Sequence, residues 1–192
     1  MKKTNLVRQF LCAGALALLS TAGHAATVVL QNHSSNIAVG DEFVVDVILQ
    51  DAFAGELSSD ILLAFGLNAS YDSAAFTLTS RTVGAMWDDD TPFLDLDLAG
   101  STFPGFENEG SNAPILLGQL TFAALAAGNF TLGVSSDPAD FNQGLIYLFS
   151  VAGIDAQTQV SVQSDVPQVP VPAAVWLLGS GLLALSRMRR RS

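Results

Sequence analysis

A two-residue alternation of apolar and polar side chains constrains this chain most. Four segments show it, at residues 43–49, 116–122, 130–134 and 156–162. In the segment 116–122, the alternation places Leu116 on the same face as Leu120. Side chains two positions apart lie on one face of a β-strand, and no stretch between residues 27 and 165 has a capped helical period. The pattern therefore predicts an all-β domain, an antiparallel β-sandwich whose interior contains Phe43, Val45, Val47, Leu120, Phe122, Phe130 and Leu132.

Turn residues and apolar runs divide the rest of this region. Glycine-containing turns at residues 39–41, 127–129 and 152–155 punctuate the alternating segments at hairpin-like positions. The apolar runs 61–67 and 145–151 are interpreted as strands buried on both faces. Residues 82–114 are rich in proline, glycine and aspartate, which predicts a long excursion with one or two short strands.

Three stretches of this region resemble known domains. In residues 37–47 a Val-Gly-Asp turn precedes an alternating strand. In residues 65–76 a strand leads into Tyr71-Asp72. Residues 117–132 form a hairpin pattern near the C-terminal end of the region. These patterns resemble cohesin-like domains over roughly residues 27–163, within a predicted domain at 26–164. The resemblance implies a nine-stranded jelly roll of immunoglobulin-like architecture. It also implies a binding module, since cohesins of cellulosomes bind dockerins.

The charges of the chain are separated along its length. All 18 acidic residues lie from Asp41 to Asp165, and Arg81 is the one lysine or arginine between Arg8 and Arg187. Residues 26–170 therefore carry a net charge of −17. Such a surface repels nucleic acids and anionic lipid headgroups, so we expect no nucleic-acid partner.

The N-terminus has the layout of a secretory signal peptide. Lys2 and Lys3 precede a short apolar run at residues 10–19, and small residues follow it up to Ala25. We predict a signal peptide at 1–25, cut between Ala25 and Ala26, with the Sec translocon and signal peptidase as transient partners. The alternative is a short membrane anchor or buried helix, but the run is only about half the length that a span needs.

The C-terminus combines three features in a fixed order. A proline-rich linker at 165–172 precedes an apolar segment at 173–186, which is predicted to be a transmembrane helix. The last residues, 187–192, form a basic tail predicted to stay in the cytoplasm, and it contains Arg187, Arg189, Arg190 and Arg191. An ordinary tail anchor is the simplest interpretation of this layout.

The linker suggests a more specific interpretation. Its motif consists of Val169, Pro170, Val171, Pro172 and Ala173. With the span and the arginines, it resembles the PEP-CTERM sorting signal of Gram-negative bacteria in its Val-Pro-Leu-Pro-Ala variant, although Val171 stands where the commoner form has glutamate. The resemblance implies an exosortase partner, passage through the inner membrane, and delivery to the cell surface or extracellular matrix.

Residues capable of catalysis are scarce. After the predicted cleavage the chain keeps His33 as its one histidine and no lysine or cysteine. A zinc site of the His/Cys type is excluded by this count, and we expect no enzyme activity and no cofactor. Asp88, Asp89 and Asp90 are weak candidates for calcium, with solvated acidic loops as the favoured interpretation.

The aromatic residues Trp87, Tyr71 and Phe103 allow a sugar-binding platform, although roles in the core are favoured. The sequence therefore predicts an exported, non-enzymatic surface or matrix protein with a structural or adhesive sandwich. The alternative is a carbohydrate- or protein-binding module of cohesin type, and extracellular polysaccharide is a candidate partner.

Overall fold

The computed structural model describes residues 26–108 and 113–164, and every regular element in these ranges is a strand. The chain order is β1 Thr27–Asn32, β2 Ile37–Ala38, β3 Glu42–Gln50, β4 Ile61–Ser70, β5 Phe76–Val83, β6 Asp88–Asp89, β7 Leu98–Glu107, β8 Ile115–Ala124, β9 Gly128–Ser135, β10 Gly144–Tyr147, β11 Val151–Ala152 and β12 Asp155–Gln163. The predicted all-β sandwich is confirmed.

The strands form two sheets that face each other across one core. The four-stranded sheet has the order β1-β3-β8-β5. The larger sheet has the order β11-β10-β4-β9-β12-β2, and in it β7 pairs with β4 and β6 pairs with β7. With these short strands, the described residues form twelve strands rather than the nine that the resemblance implied.

One strand pair departs from the predicted antiparallel arrangement. After β1, the chain leaves the four-stranded sheet and places β2 beside β12 in parallel, with Ile37 opposite Val162. The amide of Val39 extends the pairing by donating to the carbonyl of Gln163 at 3.2 Å. Parallel pairing is possible because the two strands are far apart in sequence and no tight turn joins them.

Aromatic rings fill the centre of the core. Phe43 stacks on Phe122 at 5.8 Å between ring centroids and meets Phe76 edge-on at 5.5 Å. The predicted interior is confirmed for every residue except Phe130, which is half-buried and contacts Phe76 at 5.4 Å. This cluster holds the two sheets together, because aromatic side chains bury large apolar areas.

The predicted alternation fails at Leu116, which does not share the face of the buried Leu120. β8 changes register against β3 between Val47 and Ile48, so that Leu117 and Gly118 both lie inside and Leu116 lies outside, 36% exposed. Glycine is required at 118, since a Cβ there would lie 2.6 Å from the carbonyl oxygen of Thr82. The irregularity shifts the alternation by one residue, which reverses the face of every side chain beyond it.

The two apolar runs, 61–67 and 145–151, were both predicted to be buried strands, and the structure differs between them. Residues 61–67 lie within β4, as predicted, but the strand is not buried throughout: Leu62 and Leu67 are fully buried, whereas Leu63 is half-buried. Residues 145–151 do not form one buried strand, because a turn separates β10 from β11 and leaves Phe149 63% exposed. The carboxylate of Asp60 stabilises this turn, accepting hydrogen bonds from its neighbour Ile61 and from the amide of Phe149 at 3.2 Å.

Polar groups around this turn are satisfied internally. The hydroxyl of Ser150 donates to Glu56 at 2.6 Å, and the hydroxyl of Tyr147 donates to the carbonyl of Ala52. Burial, together with the carboxylates of Glu56 and Asp60, raises the pKa of Tyr147. The phenol therefore stays protonated and keeps its hydrogen bond at neutral pH.

The predicted excursion at 82–114 contains more strand than expected. β6 has two residues, but β7 has ten and pairs with β4. Trp87 lies at the start of this region, where its indole N–H donates to the carbonyl of Leu116 at 3.0 Å. Its ring packs on Phe65 and Phe106, so the region is anchored to the core.

Candidate functional site

The targeting signals lie largely outside the described residues. This applies to Ala25, to the sorting motif 169–173, to the predicted helix 173–186 and to the basic tail 187–192. Ala26 is described, and it is half-buried against the core. Within residues 26–108 and 113–164, no helix meets the length and hydropathy that a membrane span requires.

The outer face of the four-stranded sheet carries an ordered apolar feature. Val29, Ile48 and Leu116 lie opposite one another on β1, β3 and β8. Val29 and Ile48 are half-buried and Leu116 is exposed. We call these three residues the outer row. The register irregularity that moves Leu116 outward is what completes it.

A polar cluster adjoins the outer row on the same face. The carboxylate of Asp46 accepts a hydrogen bond from the amide of Gln119 at 2.9 Å and lies 2.6 Å from the His33 imidazole. The Asp46 side chain is only 13% exposed. It is therefore fixed in position, because two partners hold its oxygens. Nothing in the sequence indicates that Gln119 would be a partner of Asp46, because the two residues lie 73 positions apart.

The outer face of the other sheet differs in chemistry. Along β9 and β12 it presents the exposed polar residues Asn129, Thr131, Gln157, Gln159 and Ser161. Gln159 and Thr131 are hydrogen-bonded to each other at 2.7 Å across the two strands. The apolar outer row has no counterpart among these residues.

A cleft of about 410 Å³ lies at the free edge of β5. Its lining is formed by Tyr71, Leu78, Thr79, Ser80, Arg81 and Asp97. Arg81 spans the cleft edge, since its guanidinium donates to the carbonyl of Leu96 at 3.1 Å and lies 3.7 Å from the carboxylate of Asp97. The sequence singled out Arg81 as an isolated charge but could not place it in a cleft.

The three aspartates proposed as calcium candidates do not converge. Asp88 and Asp89 form β6, where consecutive side chains point to opposite faces, and Asp90 follows in the turn. Asp89 already accepts a hydrogen bond from the amide of Thr91 at 3.0 Å. In the part of the chain that the structure describes, no three acidic, histidine or cysteine side chains are grouped to hold a metal ion.

We therefore expect calcium titration to produce no saturable heat at millimolar concentrations, the range of weak extracellular calcium sites. Isothermal titration calorimetry of the exported protein measures this directly. A one-site binding curve that Asp89→Asn abolishes and Asp72→Asn leaves unchanged would contradict the expectation.

The aromatic platform is not assembled as one surface. Trp87 is buried in the core, and Phe103 is 94% exposed on β7. Tyr71 is half-buried and lines the edge cleft. The preference for a core role is confirmed for Trp87, and of the three rings only Tyr71 lines this cleft.

Comparison with known proteins gives the fold a name. No family model matches the chain, and no curated protein matches its sequence. A cohesin module of a family 33 glycoside hydrolase from Clostridium perfringens superposes with a TM-score of 0.50 at 11% identity, covering 73% of this chain and 98% of the module. The described domain has a cohesin-like fold.

A second cohesin-like neighbour has lower structural similarity. CaCohA2 from Clostridium acetobutylicum matches with a TM-score of 0.46 at 20% identity, covering 71% of this chain and 91% of its own. The superposition on the Clostridium perfringens module, at a TM-score of 0.50, supports the cohesin-like architecture predicted from the three sequence patterns.

Proposed function

We propose that this chain is an exported, non-enzymatic protein whose cohesin-like domain binds a protein partner through the outer face of its four-stranded sheet. The outer row beside the fixed Asp46 carboxylate is the observation that carries this proposal. Apolar side chains in register across three strands offer a partner a contact that excludes water. The adjacent carboxylate, held by His33 and Gln119, adds directional recognition.

The charge of the domain restricts the partner. Residues 26–170 carry a net charge of −17, so a basic or neutral partner surface is favoured over an acidic one. The partner surface is expected to place apolar groups against Ile48 and Leu116 and a hydrogen-bond donor near Asp46. Recognition of this kind needs no chemistry from the domain, in line with a binding role without catalysis or cofactor.

The route out of the cell forms the second part of the proposal, and the sequence of the two termini supports it. The signal peptide directs the chain to the Sec translocon, and signal peptidase cuts after Ala25. The motif at 169–173 then presents the inner-membrane intermediate to an exosortase, which releases the domain to the cell surface or extracellular matrix. On this proposal the tail is a transient sorting signal.

The protein-binding role can be tested by affinity capture from native matrix followed by reconstitution with the purified partner. Ile48→Asp places a charge in the outer row and is expected to weaken binding at least ten-fold. Thr131→Asp adds the same charge on the outer face of the other sheet and is expected to leave affinity unchanged. If every captured protein binds both variants equally, the outer row is not the binding surface.

A further inference from the structure

We propose that the cleft at the edge of β5 is a second binding site, one that takes a neutral oligosaccharide. Arg81 and Asp97 would hold neighbouring hydroxyl groups of the sugar, and the Tyr71 ring would contact its apolar face. The cleft volume of about 410 Å³ lies within the range of small-ligand sites, roughly 300–1,000 Å³.

The irregular pairing of β5 builds the cleft. The register against β8 shifts between Leu78 and Ser80, and the hydroxyl of the intervening Thr79 donates to the carbonyl of Thr121 at 3.2 Å. Beyond the shift, Arg81 lies opposite the buried Leu120, so its side chain starts from the inward face of an edge strand. From there it reaches the segment before β7 in the other sheet, and the cleft lies between the two sheets.

Arg81 and Asp97 offer a fixed pair of donors and acceptors. The guanidinium has five N–H groups, of which the Leu96 carbonyl takes one at 3.1 Å, and the side chain is 45% exposed. Asp97 is held by the amide of Ala69 at 2.9 Å through one oxygen, while its other oxygen faces Arg81. Neighbouring sugar hydroxyls each donate and accept, so they match a donor fork beside a carboxylate.

Tyr71 supplies an apolar wall of fixed orientation. Its ring meets Phe122 edge-on with 5.2 Å between centroids, which ties it to the core while it remains half-buried at the cleft. Thr79 and Ser80 are exposed residues that also line the cleft. An amphipathic ligand with one apolar face and many hydroxyl groups fits this lining.

Electrostatics favour a neutral sugar over an acidic one. Arg81 is the one lysine or arginine of the described residues, and Asp97 opposes its charge at 3.7 Å. The surrounding domain is strongly acidic, so a uronic acid chain would be repelled.

The test uses the full chain in a detergent without a sugar headgroup, labelled with nitrogen-15. Cellotetraose, maltotetraose and mannotetraose serve as neutral probes, and tetragalacturonate serves as the acidic one. We expect at least one neutral probe to shift the amide signals of Thr79–Arg81 and Asp97. We expect that probe to bind Arg81→Ala at least ten-fold more weakly, and tetragalacturonate to bind the wild type more weakly than the neutral probe.

Matched variants separate recognition from folding. Thr77→Ala changes an exposed residue of β5 outside the cleft and should bind as the wild type does. Arg81→Lys keeps the charge but loses the planar fork, so it should also bind at least ten-fold more weakly, and it replaces Arg81→Ala if that variant does not fold. The proposal is overturned if no neutral probe shifts the cleft signals, if tetragalacturonate binds most tightly, or if Arg81→Lys binds normally.

Discussion

Replacing Phe122 by alanine is expected to lower the free energy of unfolding by about 3–5 kcal/mol. Phe122 is fully buried, and its ring contacts Phe43, Tyr71 and Phe76 at centroid distances of 5.8, 5.2 and 6.3 Å. The substitution removes the side chain around which these rings pack and leaves a cavity between the sheets. Urea denaturation of the variant and the wild type measures the difference.

Phe141→Ala is the matched control for this loss, because Phe141 is 92% exposed. The same chemical change at that position should alter the free energy of unfolding by no more than about 0.5 kcal/mol. Equal unfolding midpoints for the two variants would show that Phe122 does not lie in the core.

Replacing Pro170 and Pro172 together by alanine is expected to abolish release of the protein from the inner membrane. Proline is predicted to keep the motif extended, since a proline inside a helix costs about 3 kcal/mol relative to alanine. The double substitution lets the predicted C-terminal helix extend backwards and withdraw the motif from the exosortase. Fractionation and intact-mass spectrometry distinguish the uncut membrane form from the shorter released form.

Pro167→Ala tests whether any change in the linker has this effect, because Pro167 precedes the motif. This variant should be cut and released normally. If the tail is an ordinary membrane anchor, the wild-type protein is not cut and keeps Arg187 to Arg191. Recovery of a matrix-released protein that still carries these arginines would end the sorting hypothesis.

The sequence predicted the fold wherever burial follows a local rule. Phe43, Val45 and Val47 alternate with half-exposed residues through β3, and each lies inside as expected. The prediction failed where a long-range contact sets the local geometry. The turn after Tyr147 depends on Asp60, whose carboxylate binds the amide of Phe149 from 89 positions earlier in the chain.

In the candidate sites, too, the sequence predicted individual residues but not the long-range contacts between them. The sequence identified Arg81 as the isolated cation and Tyr71 as a candidate ring, because composition and aromatic content can be read residue by residue. The sequence does not show that Arg81 lies beside Asp97. That proximity depends on how β5 pairs with β8 and on where the larger sheet crosses β5. The outer row was missed for a related reason, because the irregularity of β8 moved Leu116 to the outside.

The parallel pairing of β2 with β12 has a consequence for the timing of folding. Ile37 and Val162 are opposite each other in the sheet but 125 positions apart in sequence. Closing a loop of this length costs conformational entropy before the contact itself gives any stability, so we expect the pairing to form late in folding. A chain that leaves a membrane channel with its N-terminus first therefore cannot complete the sandwich until Gln163 has emerged. On the export route proposed above, the pairing would delay the finished fold until translocation of the domain is over.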